Sequence, residues 1–300
     1  MGEALAVLTL LLFSANAFLV RAASRRLDQS LGFLIALVAN IGSAAVAVLA
    51  QMLISGGIGR APWSAVVLFL LGGLLANYLG RRGYFRSVQA LGPSRAAAIQ
   101  VTNPAFAVTF AWGLLRETIS VIDLLAIGAV LGGLVLTSHK PGTDPTVALR
   151  REQRMVQVRQ VAPAVLAAAC YGLGNVVRGA AVRQWEEPLV GGLLGALSGT
   201  AVYVLLHVSV REVVGQVRAA DRTGISLWWG VGTLAIAGQM AVIGATARIP
   251  VGIAVAISSA LPIVVIPISV LVLRNREQLT VWSAGGAGLI VAGVATMVLG

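Results

Sequence analysis

Charged residues are scarce in this sequence. They make up 11% of its 300 residues, whereas about a quarter of a typical soluble domain is charged. Hydrophobic residues make up 58%, so a soluble fold would have too little polar surface to face water. The charges are clustered, and the apolar intervals between them reach the roughly 20 residues that a membrane-spanning helix needs. The composition therefore predicts an all-α polytopic protein that lies in a lipid bilayer.

Cysteine and histidine are nearly absent. Cys170 is the only cysteine, which excludes an internal disulfide. The two histidines, His139 and His207, lie far from it, and the sequence has no HExxH motif, no CxxC motif and no pair of aspartates at mid-span. These absences predict no metal, no cofactor and no enzyme activity. An intramembrane enzyme and a membrane scaffold that transports nothing stay open as alternatives.

Basic residues exceed acidic ones, and the net charge of +11 would suit a nucleic-acid binder. The arginines, however, punctuate apolar segments and form no basic face interleaved with aromatic residues, so no nucleic-acid partner is predicted. Lysine and arginine are retained on the cytoplasmic side of membrane proteins. Most of them fall in the odd-numbered connections, which predicts a cytoplasmic linker between helices 5 and 6 and both termini outside the inner (plasma) membrane. The exceptions are Arg60, Arg116, Arg178, Arg183 and Arg248.

Ten apolar segments are predicted as membrane-spanning helices. One extended polar stretch, residues 139–160, contains two prolines and a cluster of charges. It divides the chain into residues 1–138 and 161–300, and part of it, residues 147–161, is compatible with a short interfacial helix. The ten segments lie near 4–20, 31–54, 63–80, 93–115, 121–138, 161–182, 188–210, 225–247, 250–273 and 280–299.

The two halves resemble each other. Matched residues recur in the same order at an offset that drifts from 157 to 160 positions, as small loop insertions would cause. Because each half has five helices, the second half enters the membrane upside down, which is the inverted repeat of many secondary transporters. The matched positions are Arg21 with Arg178, Gly42 with Gly199, Asn103-Pro104 with Leu261-Pro262, and Arg116-Glu117 with Arg276-Glu277.

Two prolines interrupt apolar segments at mid-span. Pro104 lies in QVTNPAF of the fourth segment and Pro262 in SSALPIVVIP of the ninth. Proline removes a backbone hydrogen bond that lipid cannot replace, so such a break needs surrounding protein or a water-filled cavity. We predict that the two breaks are hinges that face each other across a central cavity. The alternative is a packing kink.

Uncharged polar residues lie at similar depth. Burying an amide without a partner costs about 2–7 kcal/mol, so these side chains should point inward, either into a substrate path or toward other helices as hydrogen-bond partners. Tyr171, Asn175 and Arg178 share a helix face because of their i, i+4, i+7 spacing. The predicted substrate-binding residues are Asn16, Asn77, Tyr78, Gln100, Asn103, Tyr171, Asn175, Gln239, Ser258 and Ser259.

Glycines recur every four residues in two segments. Small residues at this spacing let helices approach closely, so we assign these glycines to packing and not to substrate. They are Gly128 and Gly132 in the fifth segment and Gly191, Gly195 and Gly199 in the seventh.

The stretches SRAAAIQVTNPAFAVTFAWGLLRETIS and VGIAVAISSALPIVVIPISVLVLRNREQLT, each followed by a Gly-rich helix, resemble the drug/metabolite transporter superfamily. Over nearly the whole chain the sequence is similar to its EamA-type ten-helix exporters, closest to the YddG-type amino-acid exporter group. The resemblance implies a basket of ten helices, a cavity lined by helices 1, 3, 4, 6, 8 and 9, and alternating access by rocking of the halves. Related four-helix pumps use a glutamate in helix 1, where this chain has only Asn16 in the interior.

These observations predict a secondary transporter that exports small polar or zwitterionic metabolites, of which amino acids, including aromatic ones, fit best. A nucleotide-sugar or sugar-phosphate carrier would need a deep arginine, and the nearest candidates, Arg82 and Arg178, are placed closer to a boundary. A proton antiporter is a further alternative. All 11 acids are placed in loops, the linker or span ends, so we predict export that is not coupled to an ion gradient. The protein could act as a monomer. Glu117 and Glu277 are expected to form ion pairs or to cap the helix that follows, and their amide variants should retain exchange.

Overall fold

The computed structural model of this chain describes residues 1–91, 96, 99–138, 151–207, 216, 220–271 and 281–299. Within these ranges every regular element is helical. The helices are α1 (Gly2–Ala23), α2 (Gln29–Ser55), α3 (Trp63–Gly73, a π-helical segment Leu74–Gly80, then Arg81–Leu91), α4 (Asn103–Leu115), α5 (Val121–Ser138), α6 (Arg151–Gln184), α7 (Pro188–His207), α8 (Arg222–Thr246), α9a (Val251–Ser258), α9b (Pro262–Leu271) and α10 (Val281–Leu299).

The helices follow the ten predicted apolar segments. In the described part of the chain, six helices, α1, α2, α3, α6, α7 and α8, are long and apolar enough to cross a membrane, and the other four segments form shorter apolar helices. Large apolar side chains such as Leu53, Leu125 and Leu205 are exposed on the outside of the bundle, where lipid would cover them. The prediction of an all-α, ten-helix membrane protein is confirmed.

Of the predicted linker, residues 139–160, the part 139–150 lies outside the described residues. From Arg151 the backbone is helical and continues without a break into α6, so this part is not a separate interfacial helix. The matched pair Arg276-Glu277 also lies outside the described residues.

Helix packing repeats between the halves. In the first pair of matching contacts, α1 packs against α8 and α6 packs against α3. In the second, α1 packs against α9a and α6 packs against α4. In the third, α2 packs against α8 and α7 packs against α3. Matched glycines lie at matched contacts: Gly42 packs on Trp229 of α8, and Gly199 packs on Asn77 of α3. This pattern supports an inverted repeat, and the boundaries 1–138 and 161–300 stay a prediction.

The fourth and ninth segments are broken at the predicted prolines. After a turn in which Thr102 N–H donates to the Ile99 carbonyl (3.0 Å), α4 begins at Asn103, so that Pro104 lies in its first turn. In the ninth segment α9a ends at Ser258 and α9b begins at Pro262. Proline is tolerated at a helix start because the N–H that it lacks would have no partner there. Since α4 packs against α9a, the two broken segments lie side by side.

Candidate functional site

A cavity of about 500 Å³ opens between the two halves, beside both helix breaks. Its wall comes from α1, α3, α4, α6, α8 and α9, with Asn40 of α2 and Leu134 of α5. Most residues that the sequence singled out for polarity or for a helix break meet here. They are Asn16, Asn77, Gln100, Asn103, Pro104, Tyr171, Asn175, Gln239, Ser258, Ser259 and Pro262.

Tyr78, which was also predicted as a substrate-binding residue, lies outside this cavity. It lines a separate pocket with Arg82, where its hydroxyl accepts a hydrogen bond from Arg82 Nη1 at 2.6 Å. Both residues lie at or just after the π-helical segment, which changes the direction of the following side chains relative to a regular α-helix. Arg81 and Tyr84 of α3 reach the central cavity instead, and sequence reasoning missed both.

Several amide oxygens in the cavity wall have no hydrogen-bond partner within the described part of the chain. Asn16 Oδ1, Asn40 Oδ1, Gln100 Oε1 and Asn103 Oδ1 are all buried in this way. Leaving a buried acceptor unsatisfied costs about 1–3 kcal/mol, so these groups are suited to a bound molecule or water that donates hydrogen bonds. Asn77 differs, since its Nδ2 donates to the Gly195 carbonyl at 2.9 Å and so joins α3 to α7.

Arg178 lies in the cavity wall, and its position relative to the membrane boundary stays a prediction. Its side chain is only 2% exposed. Helix α6 continues six residues further, to Gln184, so the arginine lies more than one helical turn inside the end. With the amide of Gln239 turned so that its oxygen faces the guanidinium, Oε1 accepts hydrogen bonds from Arg178 Nη2 (2.7 Å) and Nη1.

The charged groups of the cavity are both cationic. Arg178 and Arg81 are lining residues, and no carboxylate belongs to the wall that the structure describes. The guanidinium carbon of Arg81 lies 4.7 Å from the centre of the Phe33 ring, a cation–π contact that holds this charge at the cavity edge. The cavity is therefore electropositive.

Glu117 is buried away from the cavity and joins the two halves. It is 9% exposed, and its two carboxylate oxygens accept hydrogen bonds from Val251 N–H at 3.0 and 3.1 Å. It also forms an ion pair with Arg183, whose Nε donates to the Thr246 carbonyl at 3.3 Å. The expected ion pair is present, but the helix that Glu117 caps is α9a and not the following helix, α5. Ser120 caps α5 instead, accepting a hydrogen bond from Asp123 N–H at 3.1 Å.

Cysteines that replace Gln100, Asn103 or Ser259 should react with small hydrophilic thiol reagents in a Cys170→Ala background. All three native residues line the cavity, so their cysteines should meet water, and a transported molecule should slow the labelling. The rates are measured by mass shift in membrane vesicles. Leu114→Cys, on the lipid-facing side of α4 at 62% exposure, is the control that should stay inert. Labelling of none of the three would assign the helix breaks to packing alone.

Comparisons with known proteins agree with this architecture. Residues 1–139 match the EamA-like transporter family, so the predicted resemblance to this superfamily is confirmed. No curated protein sequence matches the chain. Among 29 matching chains of solved structures, one crystal structure of a protein aligns with a TM-score of 0.73 over 99% of this chain and 98% of that chain, at 21% identity. At this identity the likeness shows the fold. The predicted closeness to YddG-type exporters stays a prediction.

Proposed function

We propose that this multi-pass membrane protein, whose residues 1–139 match the EamA-like transporter family, exports small zwitterionic metabolites by alternating access. The family match supports a membrane transporter of small molecules. Amino acids, including aromatic ones, are the substrate class that the cavity fits best. The observation that supports this most directly is a cavity at the point where two helices break, lined by buried amide oxygens that have no hydrogen-bond partner among the described residues.

The chemistry of the wall suits such a substrate. Ligand pockets commonly measure about 300–1,000 Å³, and this one measures about 500 Å³, enough for an aromatic amino acid. The oxygens of Asn16, Gln100 and Asn103 can accept hydrogen bonds from a substrate ammonium group without carrying a charge of their own. Phe13 and Leu134 add apolar surface for a side chain.

A second candidate function is a carrier of sugar phosphates or nucleotide sugars. It is favoured by one observation, the deep position of Arg178, because phosphate recognition relies on arginine or lysine. The amide oxygens favour the amino-acid proposal over this one. Amide oxygens and phosphate oxygens are both hydrogen-bond acceptors, so they cannot form hydrogen bonds with each other.

We propose that export is uncoupled from protons. A proton-driven antiporter generally needs an ionisable group in the membrane interior that alternates between proton and substrate. The described wall offers two arginines and no carboxylate, and the arginines keep their charge at all physiological pH values. The alternative of a drug/metabolite:proton antiporter has no group here to perform the exchange.

Alternating access would arise from rocking of residues 1–138 against residues 161–300, with Pro104 and Pro262 as hinges. We place the protein in the inner (plasma) membrane with the linker in the cytoplasm and both termini outside. Two contacts are consistent with this arrangement of loops. The Glu117–Arg183 pair joins the loop after α4 to the end of α6, and the Arg26–Asp221 pair (3.6 Å) joins the loop after α1 to the start of α8.

Proteoliposomes loaded with labelled phenylalanine should lose it to amino-acid-free buffer without an imposed ion gradient, and phenylalanine outside should exchange for it. A pH or sodium gradient should not make the transport concentrative, because the energy comes from the substrate gradient. Efflux is measured by filtration, with empty liposomes as the control. Concentrative uptake that appears only with a gradient would contradict uncoupled export, and absence of any amino-acid flux would contradict the substrate class.

A further inference from the structure

We propose that Arg178 is the binding group for an oxyanion, a carboxylate or a phosphate, on the transported molecule. This inference rests on the proposed function and deepens it, because it names the part of the substrate that the cavity recognises. For an amino acid, the carboxylate would be the group held by Arg178.

The first argument is the cost of burying this charge. A guanidinium is ionised at all physiological pH values, and withdrawing an ion from water costs several kcal/mol unless a partner compensates for it. Among the described residues, no ion pair involves Arg178. Gln239 offers a neutral carbonyl to the two terminal nitrogens, and Nε is buried without a hydrogen-bond partner in the part of the chain that the structure describes. The described residues therefore supply no anion to this cation, and an anionic group on a bound molecule would be a strong partner for it.

The second argument is that the arginine is held in place. Glycines make room for it: a Cβ built on Gly72 would lie 2.6 Å from Arg178 Cγ, and one built on Gly195 would lie 3.3 Å from Arg178 Nη2. The side chain is thus packed along its length between α3 and α7, and the residue belongs to the cavity wall. A fixed guanidinium fork matches the two oxygens of a carboxylate or phosphate better than a mobile one, because little conformational freedom is lost on binding.

The third argument is the surrounding field. Arg81 contributes a second positive charge to the same wall. The two cations repel each other, the described wall has no carboxylate to offset them, and a bound oxyanion would relieve this repulsion. Asn175, one turn before Arg178 on the same face of α6, lines the cavity as well and supplies a neutral donor next to the anion.

A purely structural role is the rival explanation. The bond to Gln239 connects α6 to α8, and its loss alone would lower stability. Such a role predicts that substitution of Arg178 affects all substrates and inhibitors equally. An oxyanion site predicts that the substitution removes discrimination between molecules with and without the anion.

The test is competition against efflux of labelled phenylalanine from proteoliposomes. For the wild type we expect phenylalanine to compete at least about tenfold better than phenylalaninamide, which lacks the carboxylate, because hydrogen bonds to charged groups stabilise by about 1.5–3 kcal/mol. In Arg178→Gln the affinity for phenylalanine should fall about 10- to 100-fold and the two competitors should become nearly equal. Arg178→Lys should keep part of the preference. Arg25→Gln, which removes an exposed arginine of the loop after α1, is the charge-matched control and should retain the wild-type ratio.

The outcomes separate the inference from the proposed function. If Arg178→Gln transports phenylalanine with an unchanged preference, or if the wild type itself binds both competitors equally, the oxyanion site is wrong while amino-acid export stands. If the wild type transports no amino acid, thermal-shift measurements of the purified protein with glycerol 3-phosphate decide. Stabilisation that Arg178→Gln abolishes would support the oxyanion site and shift the substrate class to phosphates. No stabilisation by phenylalanine or glycerol 3-phosphate would overturn the inference.

Discussion

Replacement of Gly73 by alanine should prevent α3 and α7 from packing and should remove most of the folded protein. A Cβ atom on Gly73 would overlap Ser198 Oγ and the backbone Cα and carbonyl of Gly195. Two of these three atoms are backbone, so no side-chain rotation relieves the overlap and the helices themselves must move apart. Overpacking commonly costs about 1–3 kcal/mol, and this contact also holds the bond from Ser198 Oγ to the Leu70 carbonyl at 2.8 Å.

Size-exclusion chromatography and thermal unfolding in detergent measure this effect. We expect a loss of monodisperse protein or a clearly lowered unfolding temperature for Gly73→Ala. Gly128→Ala is the matched control, because a Cβ at that position meets nothing within 4 Å in the described part of the chain. It should behave like the wild type or slightly better, since alanine is favoured over glycine in helices by about 1 kcal/mol. Equal behaviour of both variants would show that the α3–α7 contact does not limit stability.

The glycines show what the sequence can and cannot predict about packing. In α7 the predicted contacts are present: Gly191 packs on Phe69 and Gly199 on Asn77. In α5 the prediction was wrong, because Gly128 and Gly132 face open space among the described residues. The neighbouring Gly133 makes the contact with α10 instead. A small-residue spacing indicates that two helices can approach, but adjacent glycines leave the contacting face undetermined.

The sequence likewise predicts the positions of some cavity residues and not of others. The helix breaks and the buried amides were predictable, because lipid cannot satisfy their hydrogen bonds. Arg178 and Tyr78 were not. The sequence match of Arg178 with Arg21, which is exposed in the last turn of α1, suggested a boundary position. Only the extension of α6 to Gln184 shows that Arg183 lies near the helix end and Arg178 does not. Tyr78 lies in a π-helical segment. In a stretch that is apolar throughout, no pattern of polar and apolar residues reveals such a segment.

Conversion of Glu117 to alanine should open the end of the bundle at which α6, α8 and α9a meet. The substitution removes the acceptor for Val251 N–H and the counter-ion of Arg183, whose side chain is 35% exposed. Leaving the buried Val251 N–H without its acceptor costs about 1–3 kcal/mol. Because these contacts cross between the halves, we expect the loss to favour conformations in which the halves separate at this end. Since Glu117 does not line the cavity, phenylalanine exchange should persist.

The measurement is the reaction of Asn103→Cys, in a Cys170→Ala background, with a membrane-impermeant thiol reagent added from the side of the loop after α4. Removal of Glu117 should speed this reaction by about tenfold or more, since each 1.4 kcal/mol shifts a conformational equilibrium tenfold. Glu186→Ala is the control. Its carboxylate pairs with Arg248 at 3.1 Å near the same end, but it is 65% exposed, and surface ion pairs contribute little. If both variants label at the wild-type rate, the Glu117 contacts stabilise the fold without controlling access to the cavity. If only the Glu117 variant accelerates, the ion pair and the α9a cap hold this end of the transporter closed.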